Sequence, residues 1–71
     1  PLVDDILNVT GLQGKELLQL YDVAGKLVFT RSATNYQERI NISLLGKGTY
    51  ILRVLDKKGA EVQSMKINKS N

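Results

Sequence analysis

Leu44-Leu45-Gly46-Lys47-Gly48-Thr49-Tyr50-Ile51-Leu52-Arg53-Val54-Leu55 is the stretch that decides the fold. A turn bracketed by Gly46 and Gly48, where the backbone is free to take angles that a Cβ resists, feeds the most apolar run in the chain. Thr49 to Leu55 mixes β-branched, aromatic and aliphatic residues and is too short for a helix, so it reads as a strand. Tyr50, Leu52 and Val54 share one face. Thr49, Ile51, Arg53 and Leu55 share the other, which is half apolar too. A strand apolar on both faces belongs in the middle of a sheet and not at its rim.

On either side of this run the chain alternates with period two. Upstream, Glu38 to Ser43 leads into the turn with Ile40, Ile42 and Leu44 inward and Arg39, Asn41 and Ser43 outward. Downstream, Ala60 to Asn68 places Met65 and Ile67 on one face and Ser64, Lys66 and Asn68 on the other. Nearer the N-terminus, Ile6 to Thr10 sets Leu7 and Val9 inward before a turn at Gly11-Leu12-Gln13-Gly14. Glu16 to Asp22 follows with Leu18 and Leu20 inward, and then Leu27 to Arg31. The polar connection Ser32 to Gln37 has room for a short edge strand.

Two turns share one design. Leu20-Tyr21-Asp22-Val23-Ala24-Gly25 and Val54-Leu55-Asp56-Lys57-Lys58-Gly59 align without a gap, each between strands. Asp at the first turn position and Gly at the fourth suit a type I turn that closes on a left-handed glycine. Gly25 and Gly59 are therefore expected at positive φ. Asp22 and Asp56 are expected to accept hydrogen bonds from the turn amides through their side chains. Two hairpins of one design suggest a sandwich of two related sheets.

No segment shows helical periodicity over twelve residues. The expected fold is all-β: a small antiparallel, Ig-like β-sandwich of six to seven short strands, one domain over residues 1–71. Parity assigns its core to Leu7, Val9, Leu18, Leu20, Val28, Ile40, Ile42, Tyr50, Leu52, Val54, Met65 and Ile67.

Composition narrows the chemistry. With no histidine and no cysteine, the commonest catalytic bases and nucleophiles are missing. Of the seven carboxylates, Asp22 and Asp56 are explained as turn formers. Asp4 and Asp5 point to opposite sides of an extended segment, and neither Asp-x-x-Gly turn spaces its oxygens like a calcium loop. No catalytic residue, metal or cofactor is expected. The net charge is +3, but the ten basic residues are scattered and only Lys57 and Lys58 adjoin, as on an ordinary solvated surface and unlike a nucleic-acid footprint. No apolar run approaches the roughly 20 residues of a membrane span, and Pro1 to Asp5 lacks the features of a signal peptide. The chain reads as a piece of a longer protein. The sequons Asn8-Val9-Thr10, Asn41-Ile42-Ser43 and Asn68-Lys69-Ser70 are accounted for by polar positions of alternating strands. Tyr36 alone among the aromatics falls in a polar connection, and one tyrosine makes no binding platform.

Leu45-x-Lys47-Gly48-x-Tyr50-x-Leu52-x-Val54 resembles the signature of the type A C-terminal sorting domain of the type IX (Por) secretion system, found at the ends of proteins exported by Bacteroidota. Three further stretches are similar to that family: Pro1 with Asp5 to Gly11, Tyr21-Asp22-x-x-Gly25-Lys26-x-Val28, and the terminal Met65-Lys66-Ile67-Asn68-Lys69. Ser70 and Asn71 run past the family's usual end. The resemblance implies a non-catalytic targeting module that takes an N-terminal cargo from the periplasm across the outer membrane to the cell surface or medium. It implies as partners a translocon that reads the folded domain and a sortase-like protease that removes it, the cargo often passing to surface lipopolysaccharide. It implies no membrane insertion. Gly46, Lys47, Gly48, Thr49, Tyr50, Lys66 and Lys69 are the residues expected to carry recognition. The two terminal lysines are expected to be exposed and to contribute little to folding, whereas each glycine also has a backbone explanation. The rival is an Ig-like accessory adhesion or carbohydrate-binding module of an extracellular enzyme. It would share the fold but need not sit at the extreme C-terminus of its precursor.

Overall fold

The computed structural model describes residues 2–71, and Pro1, where the first of the flanking stretches begins, lies outside the described residues. Among these, seven strands and no helix form: β1 (Leu2–Val3), β2 (Ile6–Val9), β3 (Leu17–Asp22), β4 (Leu27–Ser32), β5 (Glu38–Asn41), β6 (Gly48–Leu55) and β7 (Glu61–Lys69). They build a five-stranded sheet in the order β1-β7-β6-β3-β4 and a two-stranded sheet, β2-β5. The apolar run from Thr49 to Leu55 lies in β6, the central strand of the larger sheet. Its inward residues Tyr50, Leu52 and Val54 are all buried.

One core joins the two sheets. Leu7 and Val9 of β2, Ile40 of β5 and Ile42 just beyond it meet Leu18, Leu20, Leu52, Val54 and Ile67 of the larger sheet. Ten of the twelve residues assigned by parity are buried. The other two, Val28 and Met65, pack against the cluster while partly exposed. For Val28 the cause is a bulge: the register steps from Tyr21↔Leu27 to Leu20↔Phe29. The extra residue drops out of alternation, and Phe29 takes the position opposite Leu20. Val3, Leu12 and Ala33 complete the core. They sit in or beside loops, where period two carries no signal.

The paired hairpins are nearly identical. Asp22 N–H donates to Lys26 O at 2.9 Å and Gly25 N–H to Asp22 O at 3.0 Å; the second hairpin repeats this with Asp56 to Ala60 at 2.8 Å and Gly59 to Asp56 at 3.0 Å. The Asp22 Oδ1 accepts from the amides of Ala24 and Lys26, as Asp56 Oδ1 does from Lys58 and Ala60. Gly25 and Gly59 have φ of 85° and 84°. Even the bulge recurs, between Val54 and Leu55 against β7.

Four expectations are corrected. Both hairpins lie in the same sheet, joined through β3 and β6, and not one in each sheet. The connection from Ala33 to Gln37 contains no strand. β1 runs parallel to β7, so the sandwich is antiparallel except at that edge. Leu44 is 99% exposed, because β5 ends at Asn41 and strand parity does not extend past it. Ile42 O instead accepts from Leu45 N–H at 3.0 Å, closing a turn that throws Leu44 outward and brings Leu45 partly onto the core.

Candidate functional site

The turn before β6 is built by local polar contacts. Asn41 Oδ1 accepts from Ser43 N–H at 2.9 Å, and Ile42 N–H donates to Asp5 O at 2.8 Å, which ties the turn to the β1–β2 link. Tyr50 then reaches back and donates its hydroxyl to Gly46 O at 2.6 Å. This is why a tyrosine fits a buried position: its ring joins the core while its polar tip finds a partner. Of the two bracketing glycines, only Gly48 needs to be one. Its φ is 148°, whereas Gly46 is absent from the positive-φ positions and has open space where a Cβ would stand. The expectation of unusual backbone angles at Gly46 is therefore not met.

The larger sheet brings most of the expected recognition residues side by side. Gly48 pairs with Lys69, Thr49 with Asn68 and Ile51 with Lys66. The Thr49 hydroxyl donates to Asn68 Oδ1 at 3.1 Å. Lys47 and Lys66 are exposed, Lys66 on the outer face of the sheet beside Ile51. A shallow depression opens there, lined by Tyr21, Thr49, Ile51, Arg53 and Lys66. Arg53 lies over the Tyr21 ring at 5.9 Å, and its Nε donates to Glu61 Oε1 at 2.7 Å.

Lys69 departs from expectation: it is 4% exposed. Its ammonium donates to the main-chain oxygen and Oδ1 of Asn71 and stands 4.0 Å from an Asp5 carboxylate oxygen. Parity explains this, since Lys69 shares the inward face with Met65 and Ile67. The two residues beyond it also take part. Ser70 N–H donates to Val3 O at 2.8 Å, and its hydroxyl donates to Asp4 Oδ1 at 2.9 Å. The end of β7 is thus fastened to β1 by main-chain and side-chain bonds together.

Two residues of consequence escaped the sequence reading. Glu16 is 9% exposed and Glu38 8% exposed. The Glu16 carboxylate accepts from the amides of Gln13, Gly14 and Lys15 at 2.8, 3.0 and 2.9 Å. The Gln13 amide foremost, with those of Lys15 and Gly14, holds its pKa below the ordinary 4.5 against an opposing effect of burial. Glu38 accepts from Thr34 N–H at 2.9 Å and pairs with Arg31 at 3.5 Å; the Thr34 amide foremost, and the Arg31 charge, hold it low as well. The signal was present: Glu16 has the parity of Leu18, and Glu38 that of Ile40.

Among the described residues no three acidic groups converge as metal ligands do, and no helix is long and apolar enough to cross a membrane. Comparison with curated proteins and with solved structures gave no match. A family model, the secretion system C-terminal sorting domain, matches residues 3–69. That span takes in the β6 signature, the first Asp-x-x-Gly hairpin and the terminal Lys66-Ile67-Asn68-Lys69. The chain belongs to this family, the C-terminal sorting domains of the type IX secretion system.

Proposed function

We propose that this domain takes a covalently attached N-terminal cargo out through the type IX translocon as a folded, non-catalytic signal and is then removed by a sortase-like protease. The cargo passes through the periplasm and ends at the cell surface or in the medium. The family match over residues 3–69 carries the reading, because a type IX sorting domain is an export signal and a family of such signals is not itself catalytic. The geometry supports a surface as the thing recognised. Among the described residues, β2, β5 and the five-stranded sheet close over one core, so a receptor meets the surface of a folded sandwich.

The recognition surface we assign is the Gly46-to-Tyr50 turn with Lys66, where Lys47 and Lys66 present exposed ammonium groups that have no ion-pair partner among the described residues. Gly48 and Tyr50 shape this turn from within. Lys69 acts through the fold, by fastening the chain's end. The test is a fusion of the domain, with its native upstream linker, behind a periplasmic reporter in a type IX-competent bacterium. Surface or medium delivery of the reporter, lost in a translocon-deficient strain, is the expected result. A reporter that stays periplasmic while the host exports its own cargo, with the domain intact, overturns the reading in favour of an accessory binding module.

A further inference from the structure

Tyr21, Ile51 and Lys66 form one row across β3, β6 and β7 on the outer face of the five-stranded sheet. β2 and β5 lie against the other face, on Leu18, Leu20, Leu52 and Val54. The solvated face of an antiparallel sheet is ordinarily polar, yet Tyr21 and Ile51 stand side by side on this one. Val23, in the turn between β3 and β4, is 77% exposed and lines the same depression. Chain added beside β7 lies in the plane of the sheet, so it does not cover a depression centred on β3 and β6.

The fold does not call for an apolar residue at Val23. The second hairpin places Lys57 and Lys58 where Val23 and Ala24 stand, and it closes with the same hydrogen bonds and a positive-φ glycine. A polar side chain is therefore compatible with that position. Apolar groups that gather on a surface without a structural need mark contact sites. The wall of the depression is also fixed in advance. Tyr21 donates its hydroxyl to Gln19 Oε1 at 2.9 Å, Arg53 lies over its ring, and Glu61 holds Arg53 in turn. A surface already ordered loses less entropy on binding.

Charge at this end of the sheet is one-sided. Lys26, Lys47 and Lys66 are exposed and have no ion-pair partner among the described residues. The acids nearby are engaged. Asp22 accepts from the amides of Ala24 and Lys26, Asp4 accepts from the Ser70 hydroxyl, and Asp5 stands 4.0 Å from Lys69.

We propose that the translocon's receptor surface seats an apolar side chain, flanked by carboxylates, in this depression over Tyr21, Val23 and Ile51. This rests on the sorting reading and adds the first hairpin to the surface that is recognised. The apolar side chain covers Val23 and Ile51, while the carboxylates meet Lys26 and Lys66.

The test is export of the reporter fusion, on two unrelated reporters, with circular dichroism on each isolated domain. Val23→Ser with Ile51→Thr is expected to stay folded and to lower export about tenfold or more. Lys66→Glu is expected to lose export and Lys66→Arg to keep it. Val62→Ser, at an exposed apolar residue outside the depression, is expected to export like the parent. Parent-level export by the folded double variant, or by Lys66→Glu, overturns the proposal and leaves the sorting role standing. Loss with only one reporter places the cargo on this face and overturns it too. So does a dimer of the isolated 71-residue chain that the double variant abolishes, since a second copy is then the occupant. Failure of the parent fusion itself, in a host exporting its own cargo, removes the sorting reading and this proposal together.

Discussion

The Glu16 carboxylate collects three main-chain N–H groups that the loop before β3 would otherwise leave to water, and Glu38 does similar work between Thr34 and Arg31. Both are held below the ordinary 4.5 in the folded state. A depressed folded pKa means stability that is present above the unfolded value and lost as pH falls through the folded one. Thermal stability should therefore fall on acidification below about 4.5, and Glu16→Gln with Glu38→Gln should flatten that dependence; an unchanged slope in the double variant contradicts the assignment. Gly25 and Gly59 sit in the left-handed region with open space around the missing Cβ. Replacing either with Ala should cost about 1 kcal/mol or more through backbone strain alone, readable as a shift in denaturation midpoint. Lys66→Ala should lie within about 0.5 kcal/mol of the parent. Lys69→Ala should cost about 1–2 kcal/mol because it removes the hydrogen bonds that a buried side chain makes to Asn71. Equal stability of these two variants would contradict the clamp assigned to Lys69.

Among the elements, β6 carries the most. Leu52 is fully buried between Leu20 and Met65, so Leu52→Ala should cost about 2–5 kcal/mol and unfold much of the population of so small a domain. A loss below about 1 kcal/mol would show that this position collapses around the deletion. The hairpins and the central strand were legible in the residues because turn chemistry and period-two alternation are local. What escaped had three different causes, only the first of them a contact distant in sequence. β1 is two residues long and exists only because β7 lies beside it. Leu44 continued an alternation on paper that the turn closed by Ile42 and Leu45 had already ended. The type of Lys69 and its place near the end of β7 suggest exposure, whereas its parity with Ile67 points inward. Of the residues proposed for recognition, the β6 turn and its neighbours on β7 are placed by the sequence pattern; which of them are exposed is not.

At the scale of the molecule, two strands close over a five-stranded sheet, and the first and last strands, β1 and β7, lie side by side. Duplicate hairpins within one sheet, instead of one in each, leave the smaller sheet only β2 and β5. A sandwich this lopsided depends on loops such as those of Glu16 and Glu38 to cover its core. The most direct test of recognition as a folded surface is export of three reporter fusions side by side, with circular dichroism on each isolated domain. The parent should be exported. The Lys47→Ala, Lys66→Ala variant should stay folded but lose export. Gly48→Val should lose export together with its folded spectrum, since valine resists the φ that β6 requires at its start. Full export of a Gly48→Val domain that circular dichroism shows to be unfolded would contradict the claim, because the signal would then be read from the extended chain.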